Sequence, residues 1–79
     1  MKRKPLSVQN LARLEYVGLF LKNMRLIECY TQQEVADQVN LHRNSIYRAE
    51  NAKNINLLTL LELCDFYCVS LGELFGDYE

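Results

Sequence analysis

The chain has little of what breaks or staples a small fold. It carries one proline, at position 5, and three glycines in 79 residues, and it holds no internal repeat, low-complexity tract or linker. Its three cysteines, Cys29, Cys64 and Cys68, make no even disulfide framework, and nothing resembles a secretory signal. Cys64 and Cys68 are four apart and could face one way on a helix. No third and fourth ligand accompanies them, so buried apolar thiols are expected there rather than a zinc site. The single histidine, His42, has no serine, cysteine or carboxylate cluster spaced with it as a catalytic group would require, which argues against a nuclease or small hydrolase. Apolar runs are far too short to span a membrane. No cofactor or metal is implied, and the plain reading is a soluble cytoplasmic protein of one domain.

What is present in excess is apolar side chain, 49% of the residues, a high share for so small a chain. Either the core is unusually full or part of the surface is covered by a partner. Charge is uneven rather than abundant. The net value is −1, but residues 1–48 hold eight Lys/Arg against four Asp/Glu, whereas residues 49–79 hold one Lys against six acids. A positive end and a negative end suit a protein that docks one face on a polyanion and turns the other away. Residues 1–9 begin with Lys2, Arg3 and Lys4 and form a basic arm, expected to be a solvated terminus more than a binding element.

The chain is organised around residues 31–51, TQQEVADQVNLHRNSIYRAEN. Val35, Ala36 and Val39 give one short apolar stripe, and Leu41, Ile46 and Ala49 give a second that suits a helix packed across the first. Thr31 and Glu34 form a T-x-x-E capping box. Asn40 sits where the chain must turn sharply and tolerates left-handed angles. Small Ala36 lets the two axes approach. The polar face of the second helix offers Arg43, Asn44, Tyr47 and Arg48, a set suited to base edges and phosphates. This pattern is a helix-turn-helix.

Around it, Ser7 or Asn10 can cap a first helix with apolar positions at Leu14, Val17, Leu21, Met24 and Ile27. Gly18 interrupts that helix at a cost of about 1 kcal/mol, or marks a close approach by another backbone. A second stripe, Tyr16, Leu19, Phe20 and Leu26, is more than one core needs. Asn56 caps a fourth helix whose expected core face is Leu57, Leu60, Leu61 and Cys64. Ser70 with Glu73 caps a fifth that buries Leu71, Leu74 and Phe75, and Gly76 ends it. Arg25 and Glu50 are either a buried pair tying two helices together or two solvated charges.

Taken in order, LKNMR, YTQQEVA, HRNSIYRAEN and LLTLLELCDFYCVSLGELF resemble the lambda-repressor-like, Cro- and Xre-type DNA-binding domain across about Leu21 to Phe75. The resemblance implies an all-α, compact five-helix fold with the helix-turn-helix as its second and third helices. It implies that Arg25 pairs with Glu50. It also implies that Gln32, His42, Asn51 and Lys53 lie near phosphates, and that Arg43, Asn44, Tyr47 and Arg48 read bases. Its members commonly have Gly where this chain has Cys29, Asn40, Ala52 and Cys68, so the turns at Cys29 and Cys68 imply strain or altered geometry. Ala49 stands where a larger aliphatic is usual, which leaves a gap for Phe66 or another neighbour to fill. One domain of this kind contacts little DNA, so a homodimer on two half-sites ~34 Å apart is expected. Leu58, Leu74, Phe75 and Tyr78 are its first candidate interface; Tyr16, Leu19 and Phe20 are the second. A protein partner such as a toxin is the alternative, with little or no DNA binding.

Overall fold

The computed structural model describes residues 8–76. Five helices follow one another: α1 Val8–Ile27, α2 Gln32–Val39, α3 Arg43–Glu50, α4 Leu57–Tyr67 and α5 Leu71–Gly76. The described residues contain no strand, and none of their helices is long and apolar enough to cross a membrane. The basic arm, apart from Val8 and Gln9, lies outside the described residues, as does Tyr78. Helix α1 is already running at Val8. Asn10 therefore sits inside its first turns, where its Oδ1 accepts from Arg13 Nη1 at 2.9 Å, and does not cap it.

Short helices are marginal alone, and here their ends are tied locally. Thr31 Oγ1 accepts from Glu34 N at 3.1 Å while Glu34 Oε1 accepts from Thr31 N at 2.7 Å. Ser70 and Glu73 repeat the arrangement at α5, with distances of 3.0 and 3.2 Å. Asn56 Oδ1 accepts from Thr59 N at 2.8 Å at the start of α4. Each of these reciprocal or single caps stabilises its helix by about 1 kcal/mol.

The core is built from Val17 and Leu21 of α1, Val35 and Ala36 of α2, Ile46 and Ala49 of α3, Leu63, Cys64 and Tyr67 of α4, and Leu74 of α5. Gly18 belongs to this arrangement through its missing side chain. A Cβ there would lie 2.7 Å from the carbonyl oxygen of Glu50 and 2.9 Å from that of Ala49. The backbone of α1 thus seats directly on the C-terminal turn of α3, and this approach closes the space that a small Ala49 leaves. Phe66 is used elsewhere: its ring meets Tyr30 at 5.3 Å and Tyr67 at 5.1 Å.

On α4 the structure corrects the expected core face. Leu57 and Leu61 are exposed, whereas Leu63, Cys64, Tyr67 and Thr59 are buried. The segment LLTLLELC is apolar nearly all round, so periodicity had no polar face against which to orient it. Of the cysteines only Cys64 is buried; Cys29 and Cys68 are exposed, because each ends a helix at a turn rather than continuing one. The turn geometry itself is unaltered by the missing glycines. Cys29, Asn40, Ala52 and Cys68 have φ of 62°, 56°, 57° and 58°, all in the left-handed region that disfavours a Cβ.

Candidate nucleic-acid interface

Helix α3 is held by its inner face and its two ends. Ile46 and Ala49 are buried, while Arg43, Asn44, Tyr47 and Arg48 are exposed. His42 caps it: Nδ1 accepts from Asn44 N at 3.1 Å. That bond fixes the imidazole orientation and, in the neutral ring, leaves the proton on the outward Nε2 as a donor. At the other end the Asn51 amide Nδ2 donates to Tyr47 O at 2.8 Å. Asn51 is thereby committed to closing α3, with its side-chain oxygen left as the group that can face outward. Lys53 is exposed on the following loop.

The seating of α3 depends on a buried ion pair. Arg25 Nε donates to Glu50 Oε2 at 2.7 Å and Nη2 to Oε1 at 3.0 Å, while Nη1 donates to Tyr30 O at 2.8 Å. One guanidinium therefore joins the end of α1, the α1–α2 turn and the last residue of α3. The hydrogen bonds to Glu50 push the Arg25 pKa up despite burial, so the guanidinium stays charged. Gln32 Nε2 adds a third contact, donating to Glu50 Oε1 at 3.2 Å. This places the first side chain of α2 on the carboxylate of α3 and fixes the relative position of the two helices. The Tyr67 hydroxyl is buried nearby without a hydrogen-bond partner among the described residues. Burial first, and then the Glu50 carboxylate, push its pKa up to about 12.

Arg48 is placed differently from Arg43. Its Nε and Nη2 both donate to Asn54 O, at 3.3 and 2.9 Å, and its own carbonyl accepts from Lys53 N at 3.0 Å. The guanidinium folds back and braces the α3–α4 loop that carries Asn51 and Lys53. Arg43, Asn44 and Tyr47 instead line one open concavity with His42 and Gln33. Gln33 is the member that reading the sequence did not single out. Its amide donates to Asp37 Oδ1 at 2.9 Å along α2, which leaves the carbonyl oxygen toward solvent. Its only sequence signal was its place on the first turn of α2, next to Gln32.

The residues expected at a dimer contact separate into three groups. Leu58, at 61% exposure, and Phe75 are on the surface. Leu74 is 0% exposed, so it cannot contribute side-chain surface to a partner; it is the residue that anchors α5 to the core. On α1, Tyr16 and Phe20 pack partly buried against the core, whereas Leu19 is 57% exposed.

No curated protein compared with the chain matches it significantly. Among family models, that described as Helix-turn-helix matches residues 21–74, a span from the Leu21 core position of α1 to Leu74 of α5 that takes in the Arg25–Glu50 pair and both helices of the motif. Chains of this family are DNA-binding, and the five-helix architecture agrees with it. The protein belongs to the helix-turn-helix family of the Cro/C1, lambda-repressor-like type.

Proposed function

We propose that this protein is a small transcriptional regulator that binds double-stranded DNA sequence-specifically, as a homodimer on a palindromic operator, and represses from there, its own gene included. The observation that carries the reading is an outward concavity that joins the cap His42 and Arg43, Asn44 and Tyr47 of α3 to Gln33 of α2. Arg43 suits the O6/N7 edge of guanine and Asn44 the N6/N7 edge of adenine, each good bidentate pair discriminating by ~1–3 kcal/mol. Tyr47 is placed to touch a thymine methyl or a sugar. His42 Nε2, Asn51, Lys53 and the N-terminal end of α2 at Gln32 serve the phosphates on either side. Arg48 contributes to base reading only by releasing Asn54 O; seated as it is, it sets the loop that offers Lys53. The chemistry is positional: the bound protein blocks polymerase in the cytoplasm, and no catalytic step or cofactor is required.

A second reading is favoured by one observation. Leu57, Leu58, Leu61, Leu71 and Phe75 are all exposed on α4 and α5, and no Lys or Arg follows Lys53 in the sequence. A protein partner with an apolar and basic face, such as a toxin, suits that surface.

The test is a fluorescence-anisotropy titration with the DNA just upstream of the gene, scanned across salt and repeated with Arg43→Ala and Asn44→Ala. Tight binding with a steep negative salt slope, lost mainly for that DNA in the variants, is the expected result. Equal, weak binding to every duplex, indifferent to both substitutions, would reject base reading and turn attention to a protein partner.

A further inference from the structure

The outward face of α1 is apolar and, among the described residues, largely uncovered, bordered along Glu15, Leu19 and Lys22 by Asn51 and Ala52 after α3. Leu11, Leu19 and Leu26 are exposed at 44%, 57% and 52%, and they lie on the side of the helix opposite Val17 and Leu21 of the core. Two charges stand among them, Glu15 and Lys22, both exposed. Neither is paired with an opposite charge among the described residues. Seven residues separate them, so they share one stripe, with a rise of about 10 Å between them. Leu19 sits close to the midpoint of that separation, and Leu11 and Leu26 flank it at equal sequence distance from the same midpoint.

Such a stripe is complementary to itself when reversed. We propose that a second copy of this chain packs on the outer face of α1, antiparallel, about a twofold axis close to Leu19. Glu15 of each copy then faces Lys22 of the other, Leu11 faces Leu26, and the two Leu19 side chains meet at the axis. An isologous contact requires that each patch match itself, and this one does in both charge and apolar character. The competing face does not. Leu58, Leu61 and Phe75 are accompanied on α4 and α5 by Glu62, Asp65 and Glu73, and among the described residues the one cation beside them is Arg13 of α1, which lines a groove with Leu57 and Phe75. Two copies joined there would bring carboxylates against carboxylates, an arrangement that disfavours association. The apolar surface of α4 and α5 is thus left for a partner other than a second copy, while α1 takes the second copy. The inference rests on the dimeric reading above and names its surface.

Sedimentation equilibrium of the full chain, free and on upstream duplex, tests it with Glu15→Lys, Lys22→Glu and the double exchange. Each single substitution sets like charges opposite one another and is expected to weaken self-association roughly tenfold or more, with the helical circular-dichroism melt unchanged. The double exchange restores opposite charges and is expected to return the dimer to within about threefold of the parent. Singles that associate like the parent, or a double variant no better than the singles, overturn the proposal. So does a dimer lost in Leu58→Lys yet intact in all three α1 variants, which would assign the contact to α4. A parent that is monomeric at every concentration and binds one half-site at a time rejects the dimer itself, while binding that ignores Arg43→Ala rejects base reading; the three failures are separately visible.

Discussion

The helix-turn-helix and the α4–α5 pair are both short-helix units with side-chain caps, yet they present opposite surfaces. In α2 and α3 the apolar residues make narrow stripes, and they go inward: Val35, Ala36, Ile46 and Ala49 are all buried. What remains outside is polar and held only in part: Gln32 is on Glu50, Gln33 on Asp37, His42 on its own helix and Arg48 on Asn54 O, while the Arg43, Asn44 and Tyr47 side chains stand exposed between them. In α4 and α5 the apolar residues exceed what one core can take, and Leu57, Leu58, Leu61, Leu71 and Phe75 stay outside. A surface of restrained polar groups costs little side-chain entropy when it meets a partner with fixed hydrogen-bonding edges. A surface of surplus leucines contributes area without direction. The two regions are suited to different kinds of partner.

The contrast predicts where substitutions are costly. The largest effect is expected at the hinge of the polar half. Arg25→Ala or Glu50→Ala leaves a buried charge unpaired and should lower unfolding free energy by about 3–5 kcal/mol in denaturant titration. If the loss were below 1 kcal/mol, the pair would be acting as an ordinary surface contact and the restraint of α3 would need another source.

Gly18→Ala comes next. Its Cβ would meet backbone oxygens, not a flexible side chain, so α1 must move off α3, at about 2–3 kcal/mol of stability. Because the displaced element is α3, DNA affinity should fall further than the fraction unfolded accounts for. An equally large substitution on the other half, Leu58→Lys, should change monomer stability by no more than about 0.5 kcal/mol.

Alkaline titration gives a third comparison. Tyr67 holds its proton up to about 12 in the folded chain against 10.0 for the free side chain. Between those values the unfolded state binds fewer protons than the folded state, so stability declines as pH rises through that window. The expected loss is up to about 2 kcal/mol, discounted for partial solvent screening. Tyr67→Phe should remove the slope and also relieve the unpartnered buried hydroxyl. A slope that persists in Tyr67→Phe would assign it to another group.

The smallest effects are gains. Cys29→Gly, Ala52→Gly and Cys68→Gly each relieve a left-handed residue and should stabilise by about 0.5–1 kcal/mol, visible as a raised Tm. Thiol labelling checks the same turns. Cys29 and Cys68 should react in the native state, while Cys64 reacts on unfolding only, since burial both hides its thiol and pushes its pKa up.

Much of this was legible without coordinates, and for a definite reason. Caps and turns are local: Thr31 with Glu34, Ser70 with Glu73, and Asn40 at the bend declare themselves within four residues, and the structure has each of them in place. Narrow stripes declare the buried face of α2 and α3 equally well, because polar neighbours leave one orientation open. The sequence also marked Gly18 as either a propensity cost or a close approach, and only the packed fold resolved the choice, through the Glu50 carbonyl 2.7 Å from where its Cβ would be.

What the tertiary structure decided were the long-range matters. Which side of α4 is buried depends on where α2 and α3 lie, since LLTLLELC offers no polar contrast of its own, and so Leu63 and Tyr67 entered the core while Leu57 and Leu61 did not. That Leu74 anchors α5 and cannot reach a partner depends on the depth of a pocket made by other helices. The surroundings of Arg48 and Gln33 were set in a similar way: one finds a carbonyl on the loop beyond its helix, and the other, on a different helix, finds itself beside Arg43 and Asn44. The chain determines by itself what short-range geometry and amphipathic contrast can encode. Only the folded chain decides which of two equivalent apolar faces, or two exposed cations, is turned toward the outside.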